Sequence, residues 1–238
     1  MNIINPYRFA AAATLPQIGN LEGYWKLDET SGTRADSHSN GYTLTDNGTV
    51  TGAASKNVEL GGAGQFTAAN EEWLSNAAFP TSIHASAFSA ACWVYLDSSV
   101  SGGIIGQYGT SLPADQSWLL YYSATSTKFV FLMKNSVPTT FSCVANSTPS
   151  NATWYHLAAT KSSGGAMKLY VDGTAQTDTD TFSGTPGSND VDLTIGYFIS
   201  GGTEFWFDGR IDEAGVWTTE LSASEVGELY NSGDGRTY

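Results

Sequence analysis

Charge is scarce in this chain, and positive charge is scarcest. Of 238 residues 14% are charged, and 10 Lys and Arg stand against 23 Asp and Glu, a net charge of −13. So acidic a surface repels nucleic-acid phosphates and anionic membrane faces, and neither partner is expected. No apolar run approaches the roughly 20 residues of a spanning helix, so membrane insertion is not expected either. There are two cysteines, Cys92 in "AACWVYL" and Cys143 in "TFSCVAN". Both stretches are apolar, so both read as buried thiols acting as small hydrophobes. Whether they pair stays open at this level. The three histidines, His38, His84 and His156, lie far apart and lack metal-ligand spacing. No G-x-S-x-G elbow is present. The glycine run "GGAGQF" lacks the lysine of a phosphate loop and reads as a turn or bulge.

Glycine and aromatics are abundant: 26 Gly, seven Trp and twelve Tyr. The dominant pattern is short period-2 alternation bounded by Gly, Asn, Asp and Ser, the mark of half-buried strands. It predicts strands near 22–27, 57–60, 64–68, 87–96, 103–108, 117–123, 128–134, 139–144, 153–161, 166–171, 174–178, 192–199, 205–208 and 210–217. In "AMKLYVDGTAQT" the Asp172-Gly173 pair predicts a hairpin, because Gly tolerates the positive φ of a type I′ turn. One helix is predicted, over 223–230. Ser222 and Glu225 have capping-box spacing, and Leu221 can staple onto Val226. Many strands with one late helix exclude βαβ architecture. No repeat of propeller or solenoid length is present. An all-β, two-sheet antiparallel jelly-roll sandwich remains. A composition break near Gly19-Asn20 divides an irregular N-terminal arm, residues 1–19, from a domain over 20–238.

Specific stretches carry more than class. "GYWKLDETSG", "DSHSNGYTLT", "ACWVYL", "WYHLAATKSSGGAMKLYVDG", "LTIGYF" and "FDGRIDEAGVWTTELSASEVGELYN" occur in that order. Together they resemble the laminin G-like branch of the concanavalin A-like lectin/glucanase superfamily. The resemblance implies a concanavalin A-like jelly roll. It does not imply one function, because that superfamily includes glycosidases, sugar-binding modules and structural domains.

Glycosidases of this fold need two carboxylates converging on one cleft. No Glu-x-Asp-x-Glu or Glu-x-Asp-x-x-Glu run exists here. In "RIDEAG" the adjacent Asp212 and Glu213 should point to opposite faces of a strand. The chain therefore reads as non-catalytic. A structural calcium ion is an expectation of the resemblance, since superfamily members often hold one where the chain ends meet. Asp28, Asp36 and Asp212 are its candidate ligands, as hard cations want several carboxylate oxygens. Glycan binding needs aromatic platforms with a few polar groups. Trp206, Trp118, Tyr121 and Tyr108 are the candidate ligand-binding residues, with Trp73 beside them, while Trp25, Trp93, Trp154 and Trp217 read as core.

The opening stretch "MNIINPYRFAAAATLPQ" lacks the basic start and the long apolar centre of a secretory signal. Its Ile3, Ile4, Tyr7, Arg8 and Phe9 suit an arm that docks on a partner. "NPYRF" near a start methionine also resembles the beginnings of tailed-phage structural proteins. Two functions stay open. One is a virion surface component, a capsid decoration, tail or fibre protein. In that role it partners other assembly subunits, forms homo-oligomers and displays its jelly roll to host glycans. The other is a secreted or cell-surface carbohydrate-binding module of a bacterium, located extracellularly.

Overall fold

The alternating runs pair both as hairpins with the next run along the chain and with distant runs, as where Phe88–Leu96 lies between Trp154–Lys161 and Gly209–Trp217. In the computed structural model, which describes residues 14–109, 116–137, 139–187 and 191–238, they form two antiparallel sheets face to face. The first runs β13 (Thr174–Thr181), β12 (Ala166–Val171), β11 (Trp154–Lys161), β6 (Phe88–Leu96), β17 (Gly209–Trp217), β4 (Gly62–Phe66) and β3 (Thr51–Ala54). β1 (Leu21–Trp25) also pairs with β17, alongside the residues beyond those that meet β4. The second runs β10 (Thr140–Val144), β9 (Lys128–Lys134), β8 (Gln116–Ser123), β7 (Gly102–Tyr108), β14 (Leu193–Ile195), β5 (Trp73–Asn76) and β2 (Thr45–Asn47). A separate hairpin, β15 (Tyr197–Ser200) and β16 (Thr203–Trp206), completes the strands. The predicted jelly-roll sandwich is the observed one.

The core between the sheets takes alternate residues from both, among them Val94, Leu157 and Ile211 from one and Trp118, Phe131 and Leu193 from the other. Cys92 and Cys143 are buried free thiols, and burial pushes the Cys143 thiol up to about 11. A second cluster lies on the outer face of the first sheet, beneath the one α-helix, α1 (Ala223–Tyr230). That helix has the predicted limits. Ser222 accepts from the Glu225 amide, Glu225 accepts from the Ser222 amide, and Leu221, Val226 and Leu229 are buried. The Asp172-Gly173 turn is also as predicted: both residues have positive φ, 49° and 72°, between Val171 and its partner Thr174.

Three expectations change. Residues 57–60 form no strand, because the Asn57 side chain accepts the amides of Glu59 and Leu60 and turns the chain there. The single strand expected at 192–199 is two, broken at Gly196 (φ 89°), where the Phe66 ring lies against the backbone. β2, β3 and β5 were not predicted. The arm boundary also moves. Leu15 is buried against the outer face, and the Pro16 carbonyl accepts from Trp217 Nε1 at 3.1 Å, so residues 15 and 16 pack as part of the domain. Ile3, Ile4, Tyr7, Arg8 and Phe9 lie outside the described residues.

The two sheets meet along one side without a backbone ladder. Asp180 and Asp178 of β13 accept the amides of Ser142 and Val144 of β10, each at 2.9 Å, and Gln176 accepts that of Asn146 at 2.8 Å. In return Asn146 Oδ1 accepts from the amide and hydroxyl of Thr177. Every second residue of β13 thus supplies the acceptor that a neighbouring strand would otherwise offer.

Candidate functional site

The site begins with two glycines in β7. A Cβ at Gly102 would lie 2.4 Å from Phe207 Cα, and one at Gly103 would lie 2.5 Å from the Tyr197 carbonyl oxygen. Glycine at 103 lets the β15–β16 hairpin settle this close to the outer face of the second sheet, and glycine at 102, whose partner Tyr122 is in the inter-sheet core, makes room for the Phe207 backbone. Alternation then divides the hairpin's rings. Phe198 and Phe205 stack at 4.6 Å and 10° and pack on Tyr108, Leu119 and Tyr121. Tyr197 and Trp206, partners across the hairpin, stand on its other face with centroids 4.4 Å apart and planes at 31°. Trp73 of β5 extends the row, 4.9 Å from Tyr197 at 39°.

Trp73, Tyr197 and Trp206 are all half-buried, so they form one continuous, partly open aromatic surface. The Tyr197 hydroxyl donates to Glu204 Oε1 at 3.2 Å. Burial first, and the Glu204 carboxylate second, push this phenol up to about 12, so it stays a donor. The indole N–H groups of three buried tryptophans are spent: Trp25 donates to Tyr42, Trp118 to Gln107 and Trp217 to Pro16. Those of Trp73 and Trp206 have no acceptor among the described residues, which leaves them for water or a ligand.

Of the predicted ligand-binding residues, Trp206 is half-buried on the outward face of the hairpin. Trp118 is fully buried between the sheets, with its N–H given to Gln107 Oε1 at 3.1 Å, and is core. Tyr108 is 3% exposed because the hairpin covers its face of the sheet. Tyr121 is half-buried against Phe198 at 5.4 Å and belongs to the hairpin's footing. Tyr197 was missed. The signal is in "YFISGGTEFW", a hairpin pattern about Gly201-Gly202, whereas Tyr197 falls inside the single strand expected over 192–199.

Asp28 lies near enough to Asp212 for their charges to repel, but the three expected calcium ligands do not form one group. Both oxygens of Asp36 are committed: Oδ1 accepts from the Tyr24 and His38 amides and Oδ2 from the Tyr42 amide. Asp28 Oδ1 accepts from the Gly62 amide at 2.5 Å. Asp212 accepts from the Ser55 hydroxyl. Among the described residues no group of three His, Cys, Asp or Glu side chains is placed to hold a metal ion. This donor set does not fit the ion.

Asp212 and Glu213 hold a different surprise. The β17–β6 register shifts between Asp212 and Gly215, and Glu213 has φ 49°. Ile211 and Ala214 both enter the inter-sheet core, so the two acids between them share the outer face. The expectation of opposite faces is corrected by this bulge. Both are buried, and Asp212 Oδ1 and Glu213 Oε1 lack partners. Burial pushes Asp212 up to about 9 and Glu213 up to about 7. The space beside Glu213 is about 10 Å³, room for one water and no sugar. Nearby, burial pushes His156 down to about 3, and its Nδ1 has no partner. It is a neutral strand residue.

A two-sheet antiparallel sandwich carrying a partly open aromatic surface defines a jelly roll of the lectin-like class. The chain belongs to the concanavalin A-like lectin/glucanases superfamily: the Laminin_G_3 family model matches residues 61–227. No curated protein matches the chain at a significant level. Among solved structures it is similar to the binding domain of Paraclostridial Mosquitocidal Protein 1, at 15% identity and TM-score 0.70, covering 90% of this chain and 52% of that one. It is also similar to domain 4 of AbnA, an extracellular arabinanase from Geobacillus stearothermophilus, in complex with arabinotriose. That match has 17% identity and TM-score 0.63, over 89% of this chain and 98% of the other. A third is the binding domain of botulinum neurotoxin DC in complex with SialylT, at 12% identity and TM-score 0.67, over 90% and 51%. The chain spans about half the length of the toxin domains it matches. At these identities the likeness is one of fold.

Proposed function

We propose that this chain is a non-catalytic binding module whose ligand is a glycan, seated on Trp73, Tyr197 and Trp206. The carrying observation is the run of three half-buried rings with two unspent indole donors beside the Tyr197–Glu204 hydrogen bond. Rings supply the flat apolar surface that a sugar's C–H face needs, and the donors fix its orientation. The arabinotriose and SialylT complexes of similar folds support this reading. The test is a glycan array followed by calorimetry on the best hit, including arabino-oligosaccharides. Trp206→Ala should weaken binding by about tenfold or more, on the order of 1.4 kcal/mol, with little change in melting temperature. An empty array, or full affinity in Trp206→Ala, would overturn the proposal.

A second reading rests on the docking of Leu15 and Pro16. A chain pinned there can carry an anchoring arm upstream, as a virion decoration, tail or fibre subunit would use to join its neighbours. Removing residues 1–13 keeps the pinned segment and deletes only the arm. Particle or oligomer formation should then be lost, and its persistence would sink the assembly role.

A further inference from the structure

Across the outer face of the first sheet, five residues stand in a row, one per strand. Trp154 of β11 is the register partner of Tyr95 of β6, and Tyr95 of Arg210 of β17. Arg210 pairs with Gln65 of β4, and Gln65 with Thr51 of β3. Their chain neighbours Val94, Leu96, Ile211 and Phe66 point into the core, so the row faces outward. The first four are half-buried and Thr51 is exposed, so Trp154 is not the core residue that its strand pattern predicts.

The row is ordered by contact. The Trp154 and Tyr95 rings lie 5.5 Å apart. The Arg210 guanidinium lies 4.7 Å over the Tyr95 ring. Its Nε donates to Gln65 Oε1 at 3.2 Å and its Nη1 to the Ala54 carbonyl at 3.3 Å. The Asp97 carboxylate accepts from Gln65 Nε2 at 2.8 Å. Arg34, Lys168 and Arg236 each have a carboxylate within 4 Å. Arg210 has none among the described residues, in a chain with 23 acidic side chains. It is a planar cation already fixed in place, with N–H groups left to give. The Trp154 N–H also has no acceptor among the described residues.

We propose that this row is a second glycan site, one that takes a carboxylate-bearing sugar such as a uronate. Ring faces pack on Trp154 and Tyr95, and the carboxylate accepts from Arg210. Strands lie about 4.8 Å apart, close to the repeat of an extended pyranose chain, so successive sugars meet successive members of the row. The sign of the charge separates the two surfaces. The Trp206 platform carries Glu204 beside its rings and suits neutral sugars, whereas this row carries an unpaired guanidinium.

The inference rests on the glycan-binding reading, and its test separates the two. Calorimetry on the full chain would use tetragalacturonate and its methyl ester as probes. The acid should bind, and esterification should weaken it by about tenfold. Trp154→Ala should do the same. Arg210→Lys should too, since it keeps the charge but loses the planar fork. Trp206→Ala should leave this affinity unchanged while it lowers that for the neutral ligand. Circular dichroism checks that each variant is folded, and the ester comparison needs no variant at all. No binding of the acid, equal binding of acid and ester, or loss only in Trp206→Ala would overturn the assignment.

Discussion

Asp212 and Glu213 are the residues whose chemistry departs furthest from what their neighbours in sequence suggest. Each is protonated in the folded chain to a higher pH than in the unfolded one. Between about pH 4 and the folded values near 7 and 9, the native state therefore binds more protons, and stability falls as pH rises. His84 and His156 act in the opposite sense. Burial pushes them down to about 4 and about 3, so the unfolded chain binds more protons below pH 6.5, and stability falls as pH falls. The two effects oppose each other from about pH 4.5 to 6.5, where the melting temperature should be nearly flat. From pH 7 to 9 only the acids act, and it should drop. Asp212→Asn should raise the melting temperature at pH 8 by several degrees and flatten that drop, which unfolding scans at stepped pH will read. A wild-type melting temperature that rises from pH 7 to 9 would refute the argument. The residue types were visible in "RIDEAG", but their shared face was not. A bulge exists only relative to the partner strand's register, and that register is set by strands far away in the chain.

At the scale of elements, what could be read early was what is determined locally. The helix came with its cap, its Glu225 reply and its Leu221 staple within a few residues, and the Asp172-Gly173 hairpin needed only its own turn. β2 and β3 are three and four residues of "TDN" and "TGAA", with no apolar alternation to see; they are strands because β5 and β4 lie alongside. The β15–β16 hairpin is a similar case. Its rings were legible, but which ring faces outward depends on the floor supplied at Gly103. Gly103→Val should drive its side chain into the Tyr197 carbonyl, lift the hairpin and cost about 1–3 kcal/mol as overpacking does. Denaturant unfolding measures the loss. Glycan affinity at the Trp206 platform should fall with it, while the Trp154–Arg210 row keeps its own.

For the whole molecule, the sandwich was legible because its evidence is redundant: many alternating runs, one late helix and a family likeness all agree. The domain's start was less legible, because Leu15 and Pro16 look irregular until Trp217 and α1 are seen to receive them. Leu15→Ala should cost about 2 kcal/mol or more by opening a gap under that helix, whereas removal of residues 1–13 should leave the unfolding midpoint unchanged. Comparing the two by thermal melt places the domain boundary. The seam between β10 and β13 has a consequence for how the module can be used. Its Asp178, Asp180 and Gln176 side chains answer backbone donors that a strand from a neighbouring molecule would otherwise take. Copies of this chain can be crowded without zipping into one another along that margin. On that side, crowded copies stay separate molecules.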